Sequence, residues 1–283
     1  MKRLSTGSFI ASLNDPDKAN IILAGFPYDS TASFRSGSRF ASREIRTYSQ
    51  ETIESFSFYL KKDLDEINFF DAGDMEIMIG DPATAIKKIN KVAFDLIKDG
   101  KKLLGIGGEH LVTFPLYLAA REIYGDFTLL QLDAHADLRE TYSDIEFSHA
   151  CVMNLCLKNN LKKLVQLGVR SCTKEEYQKI NNDSRIISLQ NLSELDNVIE
   201  TGEKIYLSLD VDFFDPAHFP ATGTPEAGGS SFNDLLMILE TLRAKGANII
   251  CADIVEFIPD LDFTKSCTAF AAKIIREILL AMS

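Results

Sequence analysis

The chain has no stretch of about 18 apolar residues, the length a membrane-spanning helix needs, so no span is expected. Its basic start, Met1-Lys2-Arg3, is not followed by a sustained apolar run, so no secretory signal is expected either. The cysteines, Cys151, Cys156, Cys172, Cys251 and Cys267, are odd in number, scattered, and free of any Cys-x-x-Cys pair. That argues against a disulfide framework and for reduced thiols in a cytoplasmic protein. Positive charge is short: 30 lysines and arginines face 41 acids, for a formal net charge of -11. A basic footprint for nucleic acid is therefore missing, and an acidic field favours cationic small molecules or metal ions. Internal repeats, low-complexity tracts and linkers are also absent from the sequence. Residues 1–283 read as one domain, and 46% hydrophobic residues suffice for a sizeable core.

What is present is an alternation. Apolar runs at 21–26, 67–70, 103–106, 129–132, 164–168, around 186–187, 205–209 and 249–256 read as strands. Helical patterns fall between them, over about 42–48, 82–100, 112–124, 149–157, 173–180, 191–200, 231–244 and 263–282. The second is the clearest: Asp81 suits an N-cap, Pro82 suits the first helical position, and Gly100 is a stop. About eight strands alternating with helices predict a mostly parallel sheet. Either a doubly wound sandwich or an eightfold barrel fits that count, and both bind ligands beyond the carboxyl ends of their strands.

Chemistry gathers at those ends. The run Leu129-Leu130-Gln131-Leu132 leads into Asp133-Ala134-His135-Ala136-Asp137. If the strand continues, a period of two puts Asp133, His135 and Asp137 on one face. His110 follows the strand ending at Gly107-Gly108, Asp210 and Asp212 follow the strand at 205–209, and Glu256 ends the last strand. In a parallel sheet these ends share one rim, so sequence-distant acids and imidazoles converge. Carboxylates with imidazoles suit Mn, Zn or Fe, and six such groups suit two ions. Gly105-Ile106-Gly107-Gly108 has the look of a phosphate loop, but no Lys-Ser/Thr pair follows it. The Asp210-Val211-Asp212 pair also prompts a phosphohydrolase reading, which the following Phe213-Phe214-Asp215 does not fit.

Three blocks, Gly107-Gly108-Glu109-His110, Asp133-Ala134-His135-Ala136-Asp137 and Ser208-Leu209-Asp210-Val211-Asp212, resemble the signature blocks of the ureohydrolases. That family includes arginase, agmatinase and formimidoylglutamase. The resemblance runs from Phe26-Pro27-Tyr28-Asp29 to Glu256. It implies a three-layer αβα sandwich with a mostly parallel eight-stranded sheet, two Mn2+ ions per chain, and a homotrimer or homohexamer. It further implies that His110, Asp133, Asp137 and Asp210 ligate one metal and Asp133, His135, Asp210 and Asp212 the other. On the same resemblance His149 is the proton shuttle, Asp137 a proton relay, and Glu256 the group that holds a guanidinium. Leu138-Arg139-Glu140-Thr141-Tyr142 and Thr222-Gly223-Thr224-Pro225-Glu226 resemble the agmatinase branch, whereas Ala221 stands in a loop where glycine is common.

The expected activity is hydrolysis of agmatine to putrescine and urea by a hydroxide bridging the two metals. Other guanidino or amidine substrates remain open, namely aminopropylagmatine, guanidinobutyrate, formimidoylglutamate and arginine. So does a non-catalytic metal-binding oligomer. Cys151, close to His149 in sequence, is expected to be a buried structural thiol. Arg139 is given no chemical role.

Overall fold

A short apolar run that is buried throughout suits a strand covered on both faces, and Ile21–Phe26 and Thr128–Leu132 are of that kind. The structure, a computed structural model, describes residues 7–283. In chain order its elements are β1 (Ile21–Phe26), α1 (Ala41–Thr52), β2 (Phe56–Ser57), β3 (Lys62–Asp63), β4 (Phe69–Asp74) and α2 (Pro82–Ile97). Then come β5 (Lys102–Gly107), α3 (Thr113–Tyr124), β6 (Thr128–Leu132), α4 (Val152–Lys158), β7 (Lys163–Leu167) and α5 (Lys174–Asn182). The last are β8 (Ile186–Leu189), α6 (Leu195–Val198), β9 (Lys204–Asp210), α7 (Phe232–Ala244), β10 (Asn248–Val255) and α8 (Ser266–Met282).

Eight strands form one sheet in the order β4-β1-β5-β10-β9-β6-β7-β8, and every neighbouring pair is parallel. The sheet is open, with β4 and β8 at its edges, so the barrel is excluded. Adjacent residues along each strand point to opposite faces and feed two cores. Leu104, Leu130 and Leu207 join Ile45 of α1, Leu239 of α7 and Ile275 of α8 on one face. Leu103, Leu129 and Tyr206 join Ile89 of α2, Tyr117 of α3 and Leu155 of α4 on the other. The result is the three-layer αβα sandwich.

The topology places the site. From β5 the chain jumps three positions to β6, and β9 and β10 later fill the gap. The central strands β5, β10, β9 and β6 are therefore the ones whose carboxyl ends carry His110, Glu256, Asp210 and Asp133. Ligands in open parallel sheets sit in such crevices.

Some local expectations needed correction. β6 stops at Leu132, so Asp133, His135 and Asp137 are not consecutive positions of one strand. The segment 191–200 is a 3-10 turn at Leu192–Glu194 followed by the single turn α6, rather than one helix. The last helix starts at Ser266, after Lys265 in the left-handed region (φ 60°), which breaks any helix from 263. The two-residue strands β2 and β3 pair antiparallel outside the main sheet and are too short for any pattern to reveal.

Candidate metal centre

Beyond Leu132 the chain turns instead of extending. The Asp133 carboxylate accepts the backbone N–H of His135 at 2.6 Å, a tight local turn. Asp137 has φ 52°, a left-handed conformation uncommon for a residue with a Cβ. These two features, not a strand period, aim the three side chains. Asp133 Oδ2 lies 3.0 Å from His110 Nδ1, and Asp137 Oδ2 lies 2.9 Å from the same nitrogen. Asp210 Oδ2 is 3.4 Å from it. On the other side, His135 Nδ1 lies 2.9 Å from Asp212 Oδ2 and 3.6 Å from Asp133 Oδ1.

Two candidate metal triads follow: His110, Asp133 and Asp210, and Asp133, His135 and Asp212, with each triad's ligand atoms within 4.8 Å of one another. Asp133 belongs to both and offers one oxygen to each. Asp137 joins neither triad strictly but shares His110 Nδ1 with the first. The residues fit a pair of divalent cations. His110 Nδ1 is fully buried and makes no hydrogen bond, although three carboxylates surround it. An orphaned buried acceptor beside buried acids needs a cation or a proton.

The imidazole of His110 is held from behind. Its Nε2 is 3.0 Å from Ser208 Oγ, Ser208 donates to Asp253 at 2.8 Å, and Tyr206 donates to the other Asp253 oxygen at 2.5 Å. Such outer hydrogen bonds fix which nitrogen faces the metal. Ser208 and Asp253 sit opposite each other in the register of β9 and β10. Sequence reading singled out neither for this role. The available signal was Ser208, two residues before Asp210 on the same strand face.

Electrostatics follow from burial. Burial raises Asp133, but the imidazoles of His110 and His135 beside it outweigh that and leave its carboxyl well below the usual range. Burial pushes Asp137 up to about 6 and also raises Asp210 and Asp212, whose neighbouring aspartates add to the effect. Burial disfavours charged His135, yet Asp133 and Asp212 raise it to about 12. Glu256 is pushed up to about 8, by burial first and by Glu109 second.

Glu256 follows β10 in a left-handed conformation, φ 65°. One of its oxygens accepts the His110 backbone N–H at 2.7 Å, which ties it to the end of β5. Gly108 permits this junction: a Cβ there would lie 2.0 Å from the Tyr28 carbonyl oxygen. Gly168 has a similar duty behind Asp133, at φ 101°, where a Cβ would lie 2.9 Å from the Asp133 carbonyl oxygen. Arg170 clamps the long loop after β9, donating to the carbonyls of Asp212 at 2.7 Å and Glu226 at 2.8 Å.

A cavity of about 260 Å³ opens over the cluster, lined among others by His110, His135, Asp137, His149, Asp210 and Glu256. These six are candidate site residues read from the sequence, and the other two, Asp133 and Asp212, are buried beside them without lining the cavity. Arg139 and Tyr142 also line the wall, and the Tyr142 ring meets the His149 ring edge-on at 5.5 Å. His149 opens a 3-10 turn before α4, and burial, with His110 next, lowers its imidazole to about 4. Cys151 is buried and its thiol is pushed up to about 12 by burial, so it is chemically quiet. No helix among the described residues is long and apolar enough to cross a membrane.

Comparison with known proteins agrees with this geometry. The pattern of the arginase family matches residues 19–281. An agmatinase of Bacillus subtilis is 37% identical over 276 residues, covering 96% of this chain and 95% of that protein. The N(1)-aminopropylagmatine ureohydrolase of Thermococcus kodakarensis is 36% identical over 241 residues, covering 82% and 81%. Among solved structures, the agmatine ureohydrolase of Thermoplasma volcanium superposes with a TM-score of 0.85 at 28% identity, covering 99% of this chain and 95% of that one.

Proposed function

The chain belongs to the arginase family, and on that premise we propose that it hydrolyses agmatine to putrescine and urea with two Mn2+ ions. The broader class, a metal-dependent amidine hydrolase, rests on the paired triads and the relatives. The observation that carries the proposal is Asp133, buried and directing one oxygen to each imidazole-bearing triad. A shared carboxylate is what a two-metal hydrolytic site requires.

In this reading His110, Asp133, Asp137 and Asp210 hold one ion and Asp133, His135, Asp210 and Asp212 the other. When bound, the ions supply a water whose pKa is lowered from 15.7 towards roughly 7. The protein's own groups do the rest. Glu256, with one oxygen fixed by His110 N–H, presents the other to the substrate. A guanidinium beside it restores the charged carboxylate that burial disfavours, giving charge-assisted hydrogen bonds. Water adds to the guanidinium carbon, the bond from that carbon to the alkyl nitrogen breaks, and the amine leaves with a proton. Asp137 relays the proton released by the water. His149 is neutral at neutral pH and accepts a proton before passing it to the leaving amine.

One observation favours a second reading of the tail alone. The Thermococcus kodakarensis relative is named for aminopropylagmatine, so a longer polyamine fits the same chemistry. The reading also treats residues 1–283 as one ureohydrolase domain of a cytoplasmic homotrimer or homohexamer. Exposed apolar side chains such as Phe34, Met78, Ile79 and Phe263 supply surface for such an assembly, which light scattering would measure.

The test is turnover by Mn-loaded protein of agmatine, aminopropylagmatine, guanidinobutyrate, formimidoylglutamate and arginine. The highest kcat/KM is expected for agmatine or its aminopropyl derivative. A preference for arginine overturns the substrate, and no turnover of any of the five overturns the enzyme in favour of a metal-binding oligomer.

A further inference from the structure

The loop after β1 meets the site through one hydroxyl. Glu109, fully buried beside His110, directs both carboxylate oxygens at Thr31: Oε2 accepts the Thr31 backbone N–H at 2.7 Å, and Oε1 bonds Thr31 Oγ1 at 2.7 Å. Thr31 Oγ1 in turn accepts the backbone N–H of His149 at 3.1 Å and lies 3.4 Å from His149 Nδ1. The loop has little freedom to slip. Glu109 N–H donates to the Tyr28 carbonyl at 2.8 Å, and Gly108 N–H donates to the Phe26 carbonyl at 3.1 Å. One oxygen atom therefore touches both the backbone and the ring of His149 while anchored to a buried acid.

We propose that Thr31, fixed by Glu109, is a positioning residue for His149, holding its ring so that Nδ1 is turned away and Nε2 faces the cavity. The proposal rests on the reading that His149 carries protons. The Nδ1 side of the ring is occupied by Thr31 and by Ser148 Oγ at 3.3 Å, which leaves Nε2 as the nitrogen for substrate. The Tyr142 ring closes another side, edge-on. The Thr31–Glu109 bond survives either protonation state of Glu109, with donor and acceptor exchanged. The hydroxyl matters more than the methyl group, because every contact that reaches His149 goes through Oγ1.

The experiment compares Thr31→Val and Thr31→Ser, each alone and with His149→Phe, in Mn-loaded enzyme turning over agmatine. Thr31→Val is expected to lower kcat about tenfold, the size of one lost hydrogen bond, with KM changed by less than about twofold. In the His149→Phe background the same change should move kcat by less than about twofold, since a residue acting through His149 has nothing left to act on. Thr31→Ser should recover most of the loss. An equal loss in both backgrounds, or no loss in either, overturns the proposal. Should Thr31→Val not fold, Thr31→Ala carries the same expectations. Imidazole NMR of the metal-free protein is an arm independent of turnover, and four histidines make assignment practical. The His149 ring signals should shift in Thr31→Val and stay in place in Thr31→Ser; unmoved signals in Thr31→Val overturn the proposal. If the wild type turns over no guanidino compound, the functional reading fails, and this arm still decides the positioning.

Discussion

Two clusters of buried charge lie towards the same rim of the sheet, one at its edge and one at its centre. At the edge, Arg46 of α1 bonds both oxygens of Asp71, at 2.9 and 2.8 Å, and pairs with Asp74. Asp71 also accepts the N–H groups of Phe9 at 2.7 Å and Gly73 at 3.0 Å. A guanidinium is charged at any working pH, so the buried Asp71 is matched within the chain, and Asp74, which Arg46 also reaches, is partly exposed to water. At the centre, Asp133, Asp137, Asp210 and Asp212 face only two imidazoles, whose charge is conditional. The edge cluster holds α1 to β4. The central cluster is incomplete as built, and its unmet charge is what marks it as a site for cations.

That difference can be broken by removing charge from each cluster. Asp133→Asn should abolish binding of both metals and cut turnover by more than the roughly 10²–10³-fold that one electrostatic contact is worth. Its metal-free thermal stability should fall only modestly, because the charged carboxylate that His110 and His135 stabilise is lost while its pressure on Asp137, Asp210 and Asp212 is relieved. Metal analysis and calorimetric melting read the two halves, and a large drop in metal-free stability would show that the centre is structural like the edge. Arg46→Met should do the reverse, costing about 3–5 kcal/mol of stability by leaving the buried Asp71 unpaired. Its folded fraction should keep normal kcat, measured well below the melting midpoint.

Acidification sharpens the contrast with a smaller effect. Without metal, the folded site holds protons on His110 and His135, both raised, and on carboxyls that burial has raised, including Asp137 at about 6. A metal displaces these protons, so binding releases protons and weakens as pH falls. One released proton per site makes apparent affinity drop about tenfold from about pH 7 to about 6. Titration calorimetry in two buffers of different ionisation enthalpy measures the release, and no buffer dependence would refute it. The smallest effect is expected from Thr224→Ala. The Thr224 hydroxyl donates to Asp212 across 3.4 Å, a long contact, so metal affinity should fall severalfold, below the about 10–100-fold typical of partners behind a metal ligand. A loss beyond that range would place Thr224 among the groups that build the site.

The sheet and the convergence of the six candidate ligands were legible because strand ends in a parallel sheet are a sequence-level feature: each apolar run names its own terminus. The residues that aim those ligands were not. Asp253 gains its role only once β9 and β10 pair in register, and Thr31 only once the β1 loop docks on Gly108. The period-two argument brought Asp133, His135 and Asp137 together for the wrong reason, since a turn and a left-handed Asp137 do the aiming. The helix expected at 191–200 failed because a polar surface segment carries too few buried anchors. Among residues 191–200, only Leu195 and Ile199 are buried.

The strand order can also be read as a timetable. β5 and β6 emerge from synthesis early, but each keeps a bare inner edge until β9 and β10 slot between them. Parallel pairing across so many residues is intrinsically slow, and bare edges recruit other chains. A nascent chain that ends between about Asp137 and Asp210 therefore carries two open edges and half of the candidate metal site. The chain is most prone to aggregate, and its candidate metal ligands are not all present, until most of it has been made.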